Sequence, residues 1–425
     1  MTKKLDAIIF ILIVTVAMCV VSSDYAYAGN ASRMLGFSAR DEAMAGATTA
    51  SSEDTSCLVR NPAGLVRIGN RIDASYENLL FHDVTLNTTG TSLIPGVPFT
   101  NAGLTQTSNI NYIPGGNAGV SYRIPGTDKY PISVGMGAFT IGGMAGNYAS
   151  SRLNTALLAN GGNYDKMVDL RTMRFAPGIA AAFNDKLSFG MTANIDLQAL
   201  RTNLAHSITP AGLTLFSETA GGGKWDFTVG GGFTAGLLYE INDMVSLGAS
   251  YESHNWQQDH YKYKDVLPYI DEPPIINLGV SFKPIKDLEL TYDTRYINWT
   301  DVKLARLAPR QGGFGWRDQW VFAVGSEYTT FKDKLKLRLG YNYGRSPIQP
   351  NVVFANALMP VIVEHHLTTG FSYFITKALS LDFAWEHHFR NTMVDDGGDS
   401  ADLIGTGTQV TGALDVLSIG LGYKF

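Results

Sequence analysis

The chain has 425 residues, of which 17% are charged, 11% aromatic and 45 glycine, with a formal net charge of −5. That charged share is below the roughly 25% of an ordinary globular protein, and the dispersed negative charge contains no basic block, which excludes a nucleic-acid partner. There are two cysteines, and because Cys19 falls within a cleavable leader, the mature chain cannot form an internal disulfide.

Residues 1–28 read as a secretory signal peptide. Lys3 and Lys4 give a positive start, Ala7 to Val21 an apolar run, and Ala26-Tyr27-Ala28 a cleavage site. The apolar run is too short for a membrane-spanning helix, and a lipoprotein reading at Cys19 fails because Met18 stands where a small residue belongs. The mature chain is expected to begin at Gly29 and to keep Cys57 as a small buried thiol. Residues 29–70 are rich in Gly, Ala and Ser, end in the turn sequence Asn61-Pro62-Ala63-Gly64, and share no repeating pattern with residues 71–425.

From Arg71 the period is two. In the stretch after Lys334, Leu335, Leu337, Leu339, Tyr341 and Tyr343 alternate with Lys336, Arg338, Gly340, Asn342 and Gly344. Near the end, Leu417, Ile419, Leu421, Tyr423 and Phe425 alternate with Ser418, Gly420, Gly422 and Lys424. Apolar residues facing out and polar residues facing in are the pattern of transmembrane barrel strands. Fourteen strands are predicted, at 71–86, 112–124, 130–143, 169–183, 186–204, 225–240, 244–257, 274–283, 287–300, 318–330, 335–345, 364–375, 379–391 and 409–425.

The connections alternate in length. Short turns fall at 125–128, 184–185, 242–243, 284–286, 332–334 and 376–378. Long connections fall at 87–111, 144–168, 205–224, 258–273, 301–317, 346–363 and 392–408. Short periplasmic turns and long extracellular loops are what an outer-membrane barrel produces, and only helices and closed barrels satisfy every backbone group in lipid. A soluble β-sandwich also alternates, but the long strands and the loop asymmetry argue against it. The expectation is therefore an all-β fold: a 14-stranded antiparallel transmembrane β-barrel over 71–425, in the bacterial outer membrane, with an N-terminal hatch, or plug, of residues 29–70 in its lumen. An even strand number puts both chain ends at the periplasmic mouth.

Several stretches carry a family resemblance. Gly36-Phe37-Ser38 with Ala43-Met44-Ala45-Gly46-Ala47, then Arg60-Asn61-Pro62-Ala63-Gly64-Leu65, resembles the hatch of FadL/TodX-type outer-membrane transporters, and Asn61, Pro62 and Ala63 match that hatch's motif. Asp318 to Gly325 and Leu339 to Pro347 resemble late barrel strands of the same family. The resemblance implies capture of an apolar ligand by the extracellular loops, rearrangement of the hatch, and sideways exit beside a kinked third strand. Gly142 and Gly143, near the end of the third predicted strand, are the candidates for that kink, against the alternative that they simply lead into a loop. The ending Gly422-Tyr423-Lys424-Phe425 resembles the terminal signal of proteins inserted by the barrel assembly machinery. The surroundings implied are outer-membrane lipid and lipopolysaccharide, with the protein a monomer.

An apolar cargo gains about 0.8 kcal/mol for each CH₂ withdrawn from water, so a passage into the bilayer is downhill. Leu157, Leu158, Leu213, Leu215 and Phe216 are candidates for an extracellular capture surface, or else they pack loop elements together. Two runs, Glu364-His365-His366 and Glu386-His387-His388, place His366 opposite His388 with Glu364, Glu386 and Arg390 facing inward. A polar lumen network is expected there rather than a metal. Asp395-Asp396-Gly397-Gly398-Asp399 lacks the ligand spacing of a calcium loop, Gly221-Gly222-Gly223-Lys224 is no phosphate loop, and no nucleophile elbow occurs. Neither a cofactor nor an enzyme activity is expected.

The expected function is uptake of hydrophobic small molecules, either long-chain fatty acids or aromatic hydrocarbons. The alternatives are a barrel acting as an assembly scaffold for secreted proteins, which an interior without an apolar cavity would favour, and a barrel lipase. Arg295, Lys336, Arg338 and Arg390 are candidate lumen contacts for a carboxylate head group. For a plain hydrocarbon they would be a desolvation burden.

Overall fold

The computed structural model describes residues 30–87, 105–148, 166–203, 205–208, 214–217, 223–264, 267, 270–359, 361–397 and 406–425. Fourteen antiparallel strands form a closed wall. They are β1 (Arg71–Phe81), β2 (Tyr112–Arg123), β3 (Ile132–Tyr148), β4 (Lys166–Phe175, continued by Gly178–Ala182), β5 (Leu187–Thr202), β6 (Asp226–Asn242) and β7 (Val245–Glu252, continued by Trp256–Gln257). The second half comprises β8 (Ile275–Ile285), β9 (Leu288–Ile297), β10 (Gln319–Thr330), β11 (Leu335–Gly344), β12 (His365–Phe374), β13 (Leu379–Val394) and β14 (Gln409–Lys424). Each pairs with its sequence neighbour, and β1 closes the circle on β14 from Arg71↔Lys424 to Phe81↔Leu414.

The period-two pattern becomes two faces. On β5, Phe189, Met191, Ile195 and Leu197 are exposed outward while Thr192, Asn194, Asp196 and Gln198 are buried inside. Several short turns are held by their own side chains: Asn184, Asn242 and Thr376 each accept two backbone N–H bonds from the residues that start the next strand. These local bonds are the mechanism by which Asn and Thr favour turns.

Several strands depart from the expected limits: β3 runs to Tyr148 and β13 to Val394, beyond their expected ends, and β7 breaks between Glu252 and Trp256. The first stops at Phe81, and the chain resumes as a short strand, Thr85–Asn87, paired with the outer end of β14. The fourth is interrupted at Ala176-Pro177, where proline supplies no ladder donor. At the long-loop end, Trp299, Phe314 and Trp316 join Ile348, Val353 and Met359 in an apolar cluster that roofs the barrel. The Trp299 and Trp316 rings meet edge to face at 4.9 Å, and Trp316 Nε1 donates to Asn356 Oδ1 at 2.8 Å.

The N-terminal segment lies inside the wall in short helical turns: α1 (Ala39–Ala43), α2 (Cys57–Arg60) and α3 (Leu65–Ile68). Ser38 caps α1 by accepting the Asp41 N–H at 3.1 Å, as N-cap serines do. Much of the glycine content makes room for this segment. A Cβ on Gly190, Gly236, Gly248, Gly340 or Gly370 would run into Pro62, Asn61, Thr49, Ala45 or Ala43, respectively.

Candidate functional site

Asn61, Pro62 and Ala63 form a docking knot. Pro62 opens a 3-10 turn for which its fixed φ is suited, and Asn61 Oδ1 accepts the Ala63 N–H at 3.2 Å. Asn61 Nδ2 then donates to Thr49 O at 2.7 Å and, across to β6, to Leu237 O at 3.0 Å. Wall hydroxyls complete the knot: Ser250 donates to Arg60 O and Ser188 to Ala63 O. Cys57, beside it, is buried, and that burial pushes its thiol pKa well up, so it is an inert packing group.

A second anchorage is ionic. Arg40 lies 3.2 Å from Glu53, 3.5 Å from Glu327 and 3.8 Å from Glu289. Lys336 donates to Glu53 and Glu327, and Arg338 to Glu327 and Ser372. The ligand oxygens of Glu53, Glu289 and Glu327 come within 4.8 Å of one another, but the protein's own cations already fill the spaces between them. Lys336 and Arg338 thus face a vestibule of about 930 Å³ at the short-turn end and are committed to ion pairs.

On the other side of the segment the wall itself is interrupted. β2 and β3 pair only between Asn117↔Phe139 and Arg123↔Ser133. There the ladder ends in side-chain bonds: Asn117 Oδ1 accepts the Thr140 N–H, and Thr140 Oγ1 accepts the Gly116 N–H. Beyond this point, among the strands of the wall, Tyr112 to Gly116 pair only with β1 and Gly142 to Tyr148 only with β4. A bulge lies between Thr140 and Gly142, and beyond it the edge of β3 that has left β2 pairs with the N-terminal segment. Gly143 N donates to Ser32 O at 2.8 Å, and Met34 N to Ile141 O at 3.1 Å. Beyond the gap the end of β3 meets the chain that leads into β2: Ser108 bridges Tyr148, and Asn109 N donates to Asn147 O at 2.6 Å.

A cavity of about 460 Å³ lies behind this gap. Its lining is mostly apolar, including Leu79, Ile113, Ile362 and Leu414, and it runs from Met173 and Leu197 to His366, Glu386 and His388. Met173 and Leu197 are 44% and 48% exposed on the outer face, whereas His366 and Glu386 are 1% exposed. The cavity therefore joins the interior to the lipid-facing surface. At its inner end the His366 and His388 rings meet edge to face at 4.3 Å, and His388 Nε2 lies 2.9 Å from Glu386 Oε2. Next to them, burial beside Glu77 and Glu386 pushes the Glu42 carboxyl pKa of the N-terminal segment well up.

Other expected contacts are dispersed. Arg295 Nε donates to Asn277 Oδ1 at 2.9 Å, away from the cavity. Arg390 is not inward: a bulge between His388 and Asn391 reverses the alternation, so Arg390 is exposed and pairs with Asp83 at 2.9 Å. Leu157, Leu158 and Leu213 lie outside the described residues. Leu215 and Phe216 lie on the strand Thr214–Ser217, which pairs with Ala205–Ile208. His366 pairs with His388 as expected, and both line the cavity.

The sequence model of the outer membrane protein transport protein group (OMPP1/FadL/TodX) matches residues 19–425. The chain belongs to this family. Its strands therefore cross the outer membrane, with short turns to the periplasm and long loops outside, and the FadL/TodX family is one of transporters for hydrophobic compounds, not of enzymes. Solved structures agree in fold. The P. putida toluene transporter TodX superposes with a TM-score of 0.67 at 17% identity, over 92% of this chain and 99% of its own. A Pseudomonas aeruginosa FadL homologue gives 0.62 at 17%, over 93% and 100%, and the Ralstonia pickettii toluene transporter TbuX gives 0.62 at 18%, over 92% and 99%. No curated protein sequence matches the chain.

Proposed function

We propose that this FadL/TodX-family protein carries small hydrophobic molecules from the extracellular loops into the cavity behind β2 and β3, and releases them sideways into the bilayer. The observation that carries this reading is the missing ladder between Gly116 and Thr140, which leaves an apolar cavity open to the lipid-facing side. An interrupted wall in lipid is costly unless its backbone groups find other partners. Here the Thr140 and Asn117 side chains and the Ser32–Met34 backbone supply them.

In this reading residues 29–70 are the hatch, Asn61, Pro62 and Ala63 its pivot on the wall, and Gly142 and Gly143 the kink of the third strand. Glycine at 142 follows from contact: a Cβ there would collide with the Ser32 carbonyl. Lys336 and Arg338 act as hatch anchors instead of head-group receptors. The apolar cavity weighs against a purely structural scaffold. The test is uptake of radiolabelled monoaromatics and fatty acids by cells with and without the chain. Chain-dependent uptake of at least one class supports the reading, and none for either class overturns it.

A further inference from the structure

The inner end of the cavity has a chemistry that fits neither a carboxylate nor a bare hydrocarbon. His366 Nδ1 faces the backbone carbonyl of Asn342 at 3.3 Å. A carbonyl only accepts, so Nδ1 carries the hydrogen and Nε2 of the neutral ring is an acceptor. His388 uses Nε2 on Glu386. Its Nδ1, like His366 Nε2, has no hydrogen-bond partner among the described residues. If Glu386 is ionised, His388 Nε2 donates and Nδ1 accepts. If the carboxyl holds the proton, Nε2 accepts and Nδ1 donates. In the second arrangement the two histidines, in ring contact at 4.3 Å, offer an acceptor at His366 Nε2 and a donor at His388 Nδ1, the pair that one hydroxyl satisfies; in the first they offer two acceptors, one of which the hydroxyl's hydrogen takes.

The cavity holds no unpaired cation for an anion among the described residues. Arg33 spends Nη1 on Glu272 and Nη2 on Glu252. Arg171 is paired with Asp169 at 2.9 Å. An entering carboxylate would be desolvated beside Glu386 without a counter-charge. A bare hydrocarbon would cover the two ring nitrogens and leave them unsatisfied, at about 1–3 kcal/mol each.

Resting on the transport reading, we propose that this cavity selects neutral apolar molecules bearing one hydroxyl group, such as alkylphenols, over both the matching hydrocarbons and the matching carboxylates, with His366 and His388 as the hydroxyl's partners. A site built to bond a hydroxyl discriminates against the analogue that lacks it because its own buried groups are then left unpaired.

The test is competitive binding to the purified full-length barrel, with radiolabelled 4-butylphenol displaced by 4-butylphenol, butylbenzene or 4-butylbenzoate. The expected order is phenol, then hydrocarbon, then carboxylate, with the phenol at least about tenfold tighter than the hydrocarbon. In His388→Phe and, separately, His366→Phe, each checked for the heat-modifiable migration of a folded barrel, the phenol advantage should fall to within about twofold of butylbenzene on the same variant. Equal affinity of wild type for phenol and hydrocarbon, tightest binding of the benzoate, or a phenol advantage that survives both substitutions would each overturn the inference while leaving hydrophobe transport intact. Absence of binding by all three, with no chain-dependent uptake, would overturn the transport reading itself.

Discussion

Gly143 donates its backbone N–H to the carbonyl of Ser32 at 2.8 Å, so a strand of the barrel wall is paired with the N-terminal segment at the place where it has left its neighbour β2. The gap in the wall and the seat of the segment are one structure. Valine at Gly142 would place a Cβ against the Ser32 carbonyl. Gly142→Val should therefore break the Ser32–Met34 pairing while the remote ladder β8 to β11 is unaffected. Amide hydrogen exchange at Met34 and Gly143 should accelerate by at least about tenfold. Unchanged protection at both amides would show that the bridge does not hold the segment.

Asn61 makes three hydrogen bonds with one side chain, to Ala63 N, Thr49 O and Leu237 O. Asn61→Ala removes them all and leaves two buried carbonyls short of a donor. The expected loss is about 2–4 kcal/mol of docking free energy. It should appear as faster proteolysis of residues 30–70 in an otherwise folded barrel. Equal cleavage rates in wild type and variant would mean that the knot contributes nothing to docking.

The sequence was legible wherever structure follows a local period. Alternation on β11 and β14 located those strands, and the short turn at 376–378 put His366 opposite His388. It was not legible where one extra residue changes the face. The bulge at Phe389-Arg390 sends Arg390 outward, and no local residue type announces it. Nor could spacing reveal that Lys336 answers Glu53, a partner from the far end of the chain, while Arg338 answers Glu327. Gly142-Gly143 marked β3 as a candidate kink, but the pairing of this stretch with Ser32 is non-local and no local pattern shows it.

Two histidines at the long-loop end of β7 give opposite pH dependences. His254 is held by Asp271 at 3.1 Å and Asp301 at 2.6 Å, which raise its pKa against the effect of burial. Its contribution is full below the unfolded value of about 6.5 and is lost as pH rises through the raised folded value. His260 is lowered to about 4 by burial, despite Asp226 and Asp259. Its neutral form favours the folded loop above about 6.5, and that stability declines as pH falls toward 4. Proteolysis at the long-loop end of β7 should thus be slowest near neutrality. His254→Gln should flatten the alkaline limb and keep the acid one. An unaltered alkaline limb would rule out the clasp.

Ala39 Cβ lies 3.6 Å from the position of a Cβ on Gly420 of β14, within the range that a disulfide needs. Cys57 is buried and does not compete. The pair Ala39→Cys and Gly420→Cys should oxidise readily and tether the segment to the wall. Uptake should fall at least about tenfold in the oxidised form, since tethering removes the open conformer from the population, and should return on reduction. Equal uptake in both redox forms would mean that transport proceeds with the segment in place.

Release through the wall is tested most directly by locating a heavy-atom cargo. Crystals of the barrel soaked with 4-bromobutylbenzene, measured at the bromine edge, should show the anomalous peak in the cavity behind β2 and β3, between Ile113 and Met144. A peak confined to the periplasmic vestibule beside Glu53 and Lys336 would contradict sideways release.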